Sequence, residues 1–342
     1  MDVLLVGLGR WGEKHLRVLG ELGATVWAAD VSEARRRWAI EHGVAASRTV
    51  SDYRDALPYV DAVDLVTPAD THLSLATACL GGGRHCFIEK PLATTAEASR
   101  HIVAEADRTG RVVQVGHIFR FHPVTAAVRA ALADGRLGRV RYATGRFAGF
   151  KRPRADVGVT HTDAIHYFDL FSYLFEREPT TVSALQRDFL GRGLDDMSVT
   201  VVTYGDIPTV VEANYFVPGT YRECVIVTEA GTLVADYGAA TVRLYTGTHE
   251  RRGDAWEAVD TGKTDLAVGH EEPLRVELAA FLRACEHGSA PPVDARAGLR
   301  AIEVVEAAAL SARLGRVVSL DELRAPEPQD VADTSARQQD EL

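Results

Sequence analysis

The stretch from Val3 to Asp30 constrains the fold more than any other. An apolar run, Val3-Leu4-Leu5-Val6, leads into Gly7-Leu8-Gly9-Arg10-Trp11-Gly12. That turn opens a helix-period segment over Trp11–Gly20, and a second apolar run, Ala24–Asp30, ends on an acid 23 residues after Gly7. Strand, glycine turn, helix, strand and terminal carboxylate together form the βαβ unit that binds a dinucleotide. Gly7 permits the tight turn, Gly9 lets the backbone approach a pyrophosphate, and Gly12 lets the helix pack closely on the strand. The helix N-terminus at Arg10 and Trp11 presents amides and positive dipole to the phosphates. Asp30 accepts hydrogen bonds from the adenosine ribose and repels a 2′-phosphate, which favours NAD over NADP. With 29 glycines a bare G-x-G-x-x-G arises by chance; the flanking strand, helix and acid give it meaning. Arg35, Arg36 and Arg37 read as solvated residues of the next helix, which Ser32 caps and Gly43 closes.

The alternation continues, with strands expected at Ala62–Thr67, Cys86–Glu89 and Val112–Val115 and helices at Thr71–Leu80 and Glu97–Arg108. Such alternation predicts a doubly wound parallel sheet. After Pro123 the pattern changes. A helix over Val124–Ala133 is followed by period-two segments at Val140–Phe147, Val182–Arg187, Ser198–Tyr204, Thr209–Phe216, Cys224–Thr228, Thr232–Asp236 and Val242–Tyr245. These predict a large, mostly antiparallel sheet, joined by helices at Asp163–Phe175, Glu272–Glu286 and Ala295–Leu314. The expected class is α/β, with a dinucleotide-binding domain over 1–120 and an α+β domain over 121–324, its last helices packing back on the first. Residues 325–342 are polar and Pro-containing and are expected to be disordered.

Composition narrows the function. A chain of 342 residues exceeds what one core of ~250–300 residues serves, in keeping with two domains. The net charge of −10, of which −4 lies in Pro326–Leu342, excludes a general nucleic-acid binder. No apolar run approaches the ~20 residues of a membrane span, and the acidic start at Asp2 lacks a signal-peptide pattern, so a cytoplasmic protein is expected. The four cysteines show no paired spacing and read as buried free thiols without a structural zinc.

A second group of motifs carries a family resemblance. Thr67-Pro68 ends a strand, His72 opens the following helix, and Gly83-Arg84-His85-Cys86-Phe87-Ile88-Glu89-Lys90-Pro91 follows. Glu-Lys-Pro at a strand end, after an N-terminal G-x-G-x-x-G, resembles the glucose–fructose oxidoreductase / inositol dehydrogenase / rhizopine catabolism family. The resemblance extends to Val115-Gly116-His117-Ile118-Phe119-Arg120-Phe121-His122-Pro123 and to Gly315-Arg316-Val317-Val318. It implies a Rossmann domain, a C-terminal domain with a large open sheet, and NAD(P)-dependent oxidoreduction of sugar-like hydroxyls. It also implies a homodimer or homotetramer packed through that sheet. Among cofactor contacts it places Thr67, Pro68, His72, Glu89, Lys90 and Arg120, the last near the nicotinamide end or as a brace of the domain junction.

Lys90 also stands out on its own. It lies at the carboxyl end of a parallel strand, where doubly wound folds bind ligands, and a desolvated lysine there has a lowered pKa and can accept a hydroxyl proton. A surface lysine paired with Glu89 is the other reading; the resemblance favours catalysis. Thr160-His161-Thr162-Asp163-Ala164-Ile165-His166-Tyr167-Phe168-Asp169-Leu170 resembles the family's D-x-x-x-H-x-x-D-L, with Thr162 where the aspartate stands and Asp163 one residue later. Both spacings from His166 share a helix face. Asp163 thus serves as the acid or merely caps the helix, Thr162 is a second substrate contact, and His166 is a proton-transfer group or a satisfied core histidine. A metal held by His161, Asp163 and His166 is not expected, since these positions do not share one face. Lys151, Arg152 and Arg154 form either a diphosphate subsite or a solvated loop. The candidate catalytic residues are Lys90, His166 and Asp163, with His117, Arg152 and Thr162 as further substrate contacts. The expected activity is NAD-dependent oxidation of a secondary ring hydroxyl of an amino sugar or nucleotide sugar, at C3, or the reverse. An aminoglycoside or cyclitol is the alternative substrate, and a non-enzymatic NAD-binding sensor the alternative of another class; Lys90 and His166 together argue against the sensor.

Overall fold

The computed structural model describes residues 1–324; the tail over 325–342 lies outside the described residues. The first half runs β1 (Asp2–Val6), α1 (Gly12–Glu21), β2 (Thr25–Ala29), α2 (Glu33–Glu41), β3 (Thr49–Val50), β4 (Ala62–Leu65), α3 (His72–Gly81), β5 (His85–Glu89), α4 (Ala96–Thr109), β6 (Val113–Gly116) and α5 (Pro123–Ala133). The six strands pair in the order β3-β2-β1-β4-β5-β6, all in parallel. Burial on both faces explains their unbroken apolar runs: Val3, Leu4, Leu5, Ala62, Val63, Phe87 and Ile88 are inaccessible to solvent. The strand order reverses between β1 and β4, so their loops diverge to opposite faces and leave a crevice at the strand ends.

The second half continues with β7 (Val140–Gly149), α6 (Ile165–Phe175), β8 (Pro179–Arg187), β9 (Met197–Tyr204), β10 (Ile207–Asn214), β11 (Thr220–Thr228), β12 (Gly231–Asp236), β13 (Thr241–Arg252), β14 (Ala255–Leu266), α7 (Pro273–His287), α8 (Ala295–Leu314), β15 (Val318–Ser319) and α9 (Leu320–Arg324). Nine strands form one sheet, β14-β13-β12-β11-β7-β10-β9-β8-β15. Only the β7–β10 pair is parallel, because α6, β8 and β9 intervene between them in the chain. The polar hairpin strand β14 escaped the sequence reading: Ala255–Leu266 alternates no apolar face and is largely exposed.

The helix α7 packs back on the first sheet. Its Leu274, Leu278 and Phe281 join Val3, Leu5, Leu8 and Phe87 in one cluster, with the Phe281 and Phe87 rings edge-to-face at 5.7 Å. The neighbouring α8 packs on α4, α6 and β8 and bonds across both halves, Ala96 N donating to Glu306 at 2.8 Å. The last helices therefore hold the two sheets together. Phe281→Ala is expected to cost ~3–5 kcal/mol, whereas Trp256→Ala, on the exposed β14, should stay within ~0.5 kcal/mol. Urea unfolding of the two variants checks this ordering.

Candidate active site

A cleft of about 840 Å³ opens at the carboxyl ends of β1, β4 and β5, with α6, β7 and β11 across from them. Its first wall is the glycine turn. Gly7 sits at φ +96°, and a Cβ there would lie 2.4 Å from the Val66 carbonyl oxygen. A Cβ on Gly12 would lie 2.0 Å from the Gly7 carbonyl oxygen, whereas nothing stands within 4 Å of that position at Gly9. The turn is thus closed on its protein side and open on its cleft side, which fits a dinucleotide pyrophosphate. Asp30 is oriented by two amides, Leu8 N donating to Oδ2 and Ser32 N to Oδ1, each at 2.8 Å. Each oxygen keeps a lone pair for ribose hydroxyls.

The arginines behind Asp30 differ from the solvated expectation. Arg35 donates to the Leu8 carbonyl and, at 2.6 Å, to Glu13, while Arg36 donates to the Asp30 carbonyl at 2.7 Å. Only Arg37 projects outward, paired with Glu33 on its own helix.

At the far side of the turn, Arg10, Trp11, Thr67, Pro68, Glu89 and Lys90 all line the cleft. Three residues assigned to it do not. His72 is buried, with Nδ1 2.9 Å from the Pro91 carbonyl and Nε2 3.1 Å from that of Thr67. It ties together two loops that frame the cleft. Arg120 grips Asp169 with both arms, at 2.5 and 2.7 Å, and lies over the Tyr173 ring, so the junction reading applies. His117 extends β6 into the interior, 1% exposed, with neither ring nitrogen partnered. It is not among the residues lining the cleft, although its neighbours Gly116 and Ile118 are.

The substrate side departs from the expected regular helix. Residues Thr160–Ala164 form a π-helical turn ahead of α6, a wider coil that recurs at functional sites. Through it both Thr162 and Asp163 reach the cleft. The Lys90 ammonium donates to the Thr162 carbonyl at 2.6 Å, and the Thr162 hydroxyl meets the Tyr215 hydroxyl at 2.8 Å. Asp163 caps nothing: its carboxylate pairs with Lys151 at 2.7 Å.

Electrostatics follow from this packing. Burial pulls the Lys90 amine down to about 8, against the opposing pull of Asp163 and Glu89 and with help from Arg154 and Lys151. Burial, then Lys90 and further cations, hold His166 well below the ordinary histidine range, so it is neutral. Its ring lies nearly parallel to Phe119 at 4.8 Å and to Phe147 at 5.3 Å, and its Nδ1 has no partner. A satisfied core histidine does not fit that description.

The basic loop divides. Lys151 belongs to Asp163 and sits over the Phe147 and Tyr215 rings, and Arg154 belongs to Asp156. Arg152 lines the cleft with no ion pair among the described residues. Another cleft cation was missed: Arg222 on β11 stacks 3.3 Å from the Phe147 ring centre and, among the described residues, donates to the Ala148 and Tyr221 carbonyls and to no carboxylate. Tyr215, Phe147 and Tyr237 were missed as well. They come from separate strand regions, and no spacing links them to Lys90 or His166.

The oxidoreductase family model with the NAD-binding Rossmann fold matches residues 1–117, and the C-terminal alpha/beta domain model of the same family matches residues 129–320. Inositol 2-dehydrogenase 2 of Saccharopolyspora erythraea is 28% identical over 337 residues, covering 96% of this chain and 97% of that one. Among solved structures, UDP-N-acetylglucosamine 3-dehydrogenase from Acidithiobacillus ferrooxidans superposes with a TM-score of 0.79 at 24% identity, over 92% of this chain and 98% of that one. Levoglucosan dehydrogenase, in complex with NADH and levoglucosan, superposes with a TM-score of 0.81 at 21% identity, over 94% and 99%. Two matched domains, with the glycine turn and Glu-Lys-Pro in place, make this chain a member of the glucose–fructose oxidoreductase / inositol dehydrogenase / rhizopine catabolism family of NAD-binding oxidoreductases.

Proposed function

We propose that the chain oxidises a secondary ring hydroxyl of a sugar to a ketone, or runs the reverse, with Lys90 and His166 moving the hydroxyl proton. The reading is carried by one observation: a lysine drawn down to about 8 and a neutral, unpartnered histidine line the same cleft. Residues 1–120 would hold NAD through Gly7, Gly9, Gly12 and Asp30, and residues 121–324 would shape the substrate end. Bound NAD supplies the acceptor for the carbon-bound hydride. Lys90, with one hydrogen donated to the Thr162 carbonyl, offers its lone pair to the hydroxyl once deprotonated. His166 holds the same oxygen or relays the proton, and its aromatic neighbours exclude water from the exchange. Asp163 keeps Lys151 in the wall and, with Glu89, limits how far Lys90 loses its charge.

For the substrate we favour a nucleotide-linked amino sugar oxidised at C3. On the second-sheet side of the cleft, Arg152 and Arg222 have no carboxylate partner among the described residues, a provision suited to a diphosphate. A cyclitol is the second reading, supported by the full-length similarity to an inositol 2-dehydrogenase. The outer face of the second sheet exposes Tyr142, Leu185, Val201 and Val210, and we propose it as the surface of a homodimer or homotetramer.

Lys90→Met and His166→Ala are each expected to lower kcat at least ~10²-fold with NAD affinity little changed. Near-normal turnover by either folded, NAD-binding variant removes that residue from proton transfer. In the oxidative direction the active form of Lys90 is the neutral amine. The value of kcat/KM should therefore rise with pH through about 8 and level off above it; in the reductive direction it should fall through the same value. Arg152→Ala should raise KM for a nucleotide sugar and leave kcat nearly intact, while an unchanged KM turns the assignment to a neutral cyclitol. NAD should bind at least ~10-fold more tightly than NADP, and equal affinities in a titration would show that Asp30 does not face the 2′ position.

A further inference from the structure

Behind the cleft floor lies a buried cluster of charge that the proton-transfer scheme does not use. His15 on α1 is fully buried, and carboxylates face both of its ring nitrogens. Asp64 Oδ2 on β4, equally buried, is 2.8 Å from Nδ1, and Glu89 Oε1 at the end of β5 is 3.3 Å from Nε2. A neutral imidazole would aim a lone pair at one of those anions, whereas an imidazolium donates to Asp64 from Nδ1 and sets its charge beside Glu89, which Nε2 faces at ion-pair distance without a hydrogen bond. The two carboxylates outweigh burial and push His15 up to about 10. A further buried acid that feels these charges, Glu277 on α7, has neither oxygen partnered and is raised well above the carboxylate range by burial, so it is neutral and adds no charge.

Glu89 is where this cluster surfaces. Its Oε1 also accepts the Trp11 indole N–H at 2.7 Å, and its Oε2 accepts the Lys90 amide at 3.1 Å. A Cβ on Gly116 would lie 2.9 Å from Oε1, so the absence of a side chain there makes room for the carboxylate. Glu89 is thus held from α1, from its own strand end and across β6, next to the Lys90 side chain in the cleft.

We propose that His15 and Asp64 are positioning residues for Lys90: an imidazolium clamped by Asp64 fixes the orientation of the Glu89 carboxylate and offsets its charge at the cleft floor. This rests on the assignment of Lys90 to proton transfer. Glu89 and Asp163 hold the proton on Lys90, while Arg154, Lys151 and burial remove it. His15 tempers the Glu89 contribution from behind, so Lys90 loses its proton at a lower pH than it would beside a bare carboxylate. Burial raises the Asp64 carboxyl and the His15 charge opposes that rise, so the two hold each other ionised as a pair. With Asp64 neutralised, burial, the largest influence on His15, is opposed by Glu89 alone. His15 then loses its proton below the working range of Lys90 and leaves Glu89 uncompensated.

The test uses the full chain. In the wild type, ¹⁵N-detected imidazole signals of His15, assigned by comparison with His15→Gln, should show both nitrogens protonated and unchanging from pH 6 to 8.5. A His15 signal that is neutral, or that titrates near 6.5 in the wild type, overturns the proposal, and this needs no variant to fold. In Asp64→Asn the His15 signal should titrate within that range. The inflection in kcat/KM should move upward by ~0.5–1 pH unit, the effect of one uncompensated charge within ~10 Å at an effective dielectric constant of ~20–40. Asp64→Glu should restore part of the shift. An inflection unmoved in folded, NAD-binding Asp64→Asn defeats the inference while leaving Lys90 in place. Full activity of Lys90→Met instead defeats the underlying assignment, whatever His15 does.

Discussion

The carbonyl oxygen of Gly7 occupies the place a side chain on Gly12 would need, and the catalytic half of the molecule is laid out from that contact. Because α1 can come so close to the end of β1, its N-terminus looks directly at the crevice between β1 and β4. Its N-cap Trp11 and its first turn's His15 are thereby delivered toward β4 and β5. A methyl group at Gly12 would push the helix outward, separating the amides from the pyrophosphate site and His15 from Asp64 and Glu89 together. One close backbone approach therefore sets both the cofactor cradle and the buried charges behind it.

The cleft combines two kinds of electrostatic control. On the first-sheet side, Glu89 at the strand end stands among Arg10, Lys14 and Lys90, with Asp64 and His15 buried behind it. On the second-sheet side cations dominate: Lys151, Arg152, Arg154 and Arg222, of which two are neutralised by local acids. Lys90 spans the boundary, its backbone held by Glu89 and its amine by the Thr162 carbonyl. Desolvation lowers its proton affinity, and the surrounding anions keep that lowering moderate, which leaves it near the pH at which a base is most useful. Burial acts on His166 without such compensation, since its charged neighbours are mostly cations, and it stays neutral. Two basic groups in one cleft are thus separated in proton affinity by the sign of the charges around them.

The joining of the two sheets serves the same end. Because α7 and α8 return from the C-terminal part of the chain to pack on the first sheet and its helices, the π-turn and α6 are held rigidly against the end of β5. The buried Arg120–Asp169 pair braces the same seam.

Local chemistry was legible in the chain itself. The glycine turn, Asp30 and the alternating parallel strands follow from short-range patterns, because turns, helix starts and strand burial are decided within a few residues, whereas Glu89-Lys90-Pro91 and the His166 segment stood out through the family resemblance. At His72, His117 and Arg120 the resemblance gave a position but not a direction, since a side chain there can face either the cleft or the seam behind it, and all three lie off the cleft lining. The order of strands in the second sheet, the π-turn that brings Thr162 and Asp163 into the cleft together, and the pairing of Lys151 with Asp163 were decided by tertiary structure. So were the arrival of Arg222 beside Phe147 and the convergence of His15, Asp64 and Glu89 from three separate elements. Each depends on residues far apart in the chain, and a buried charge acquires its meaning only when the partner that neutralises it, or leaves it unneutralised, has been packed against it.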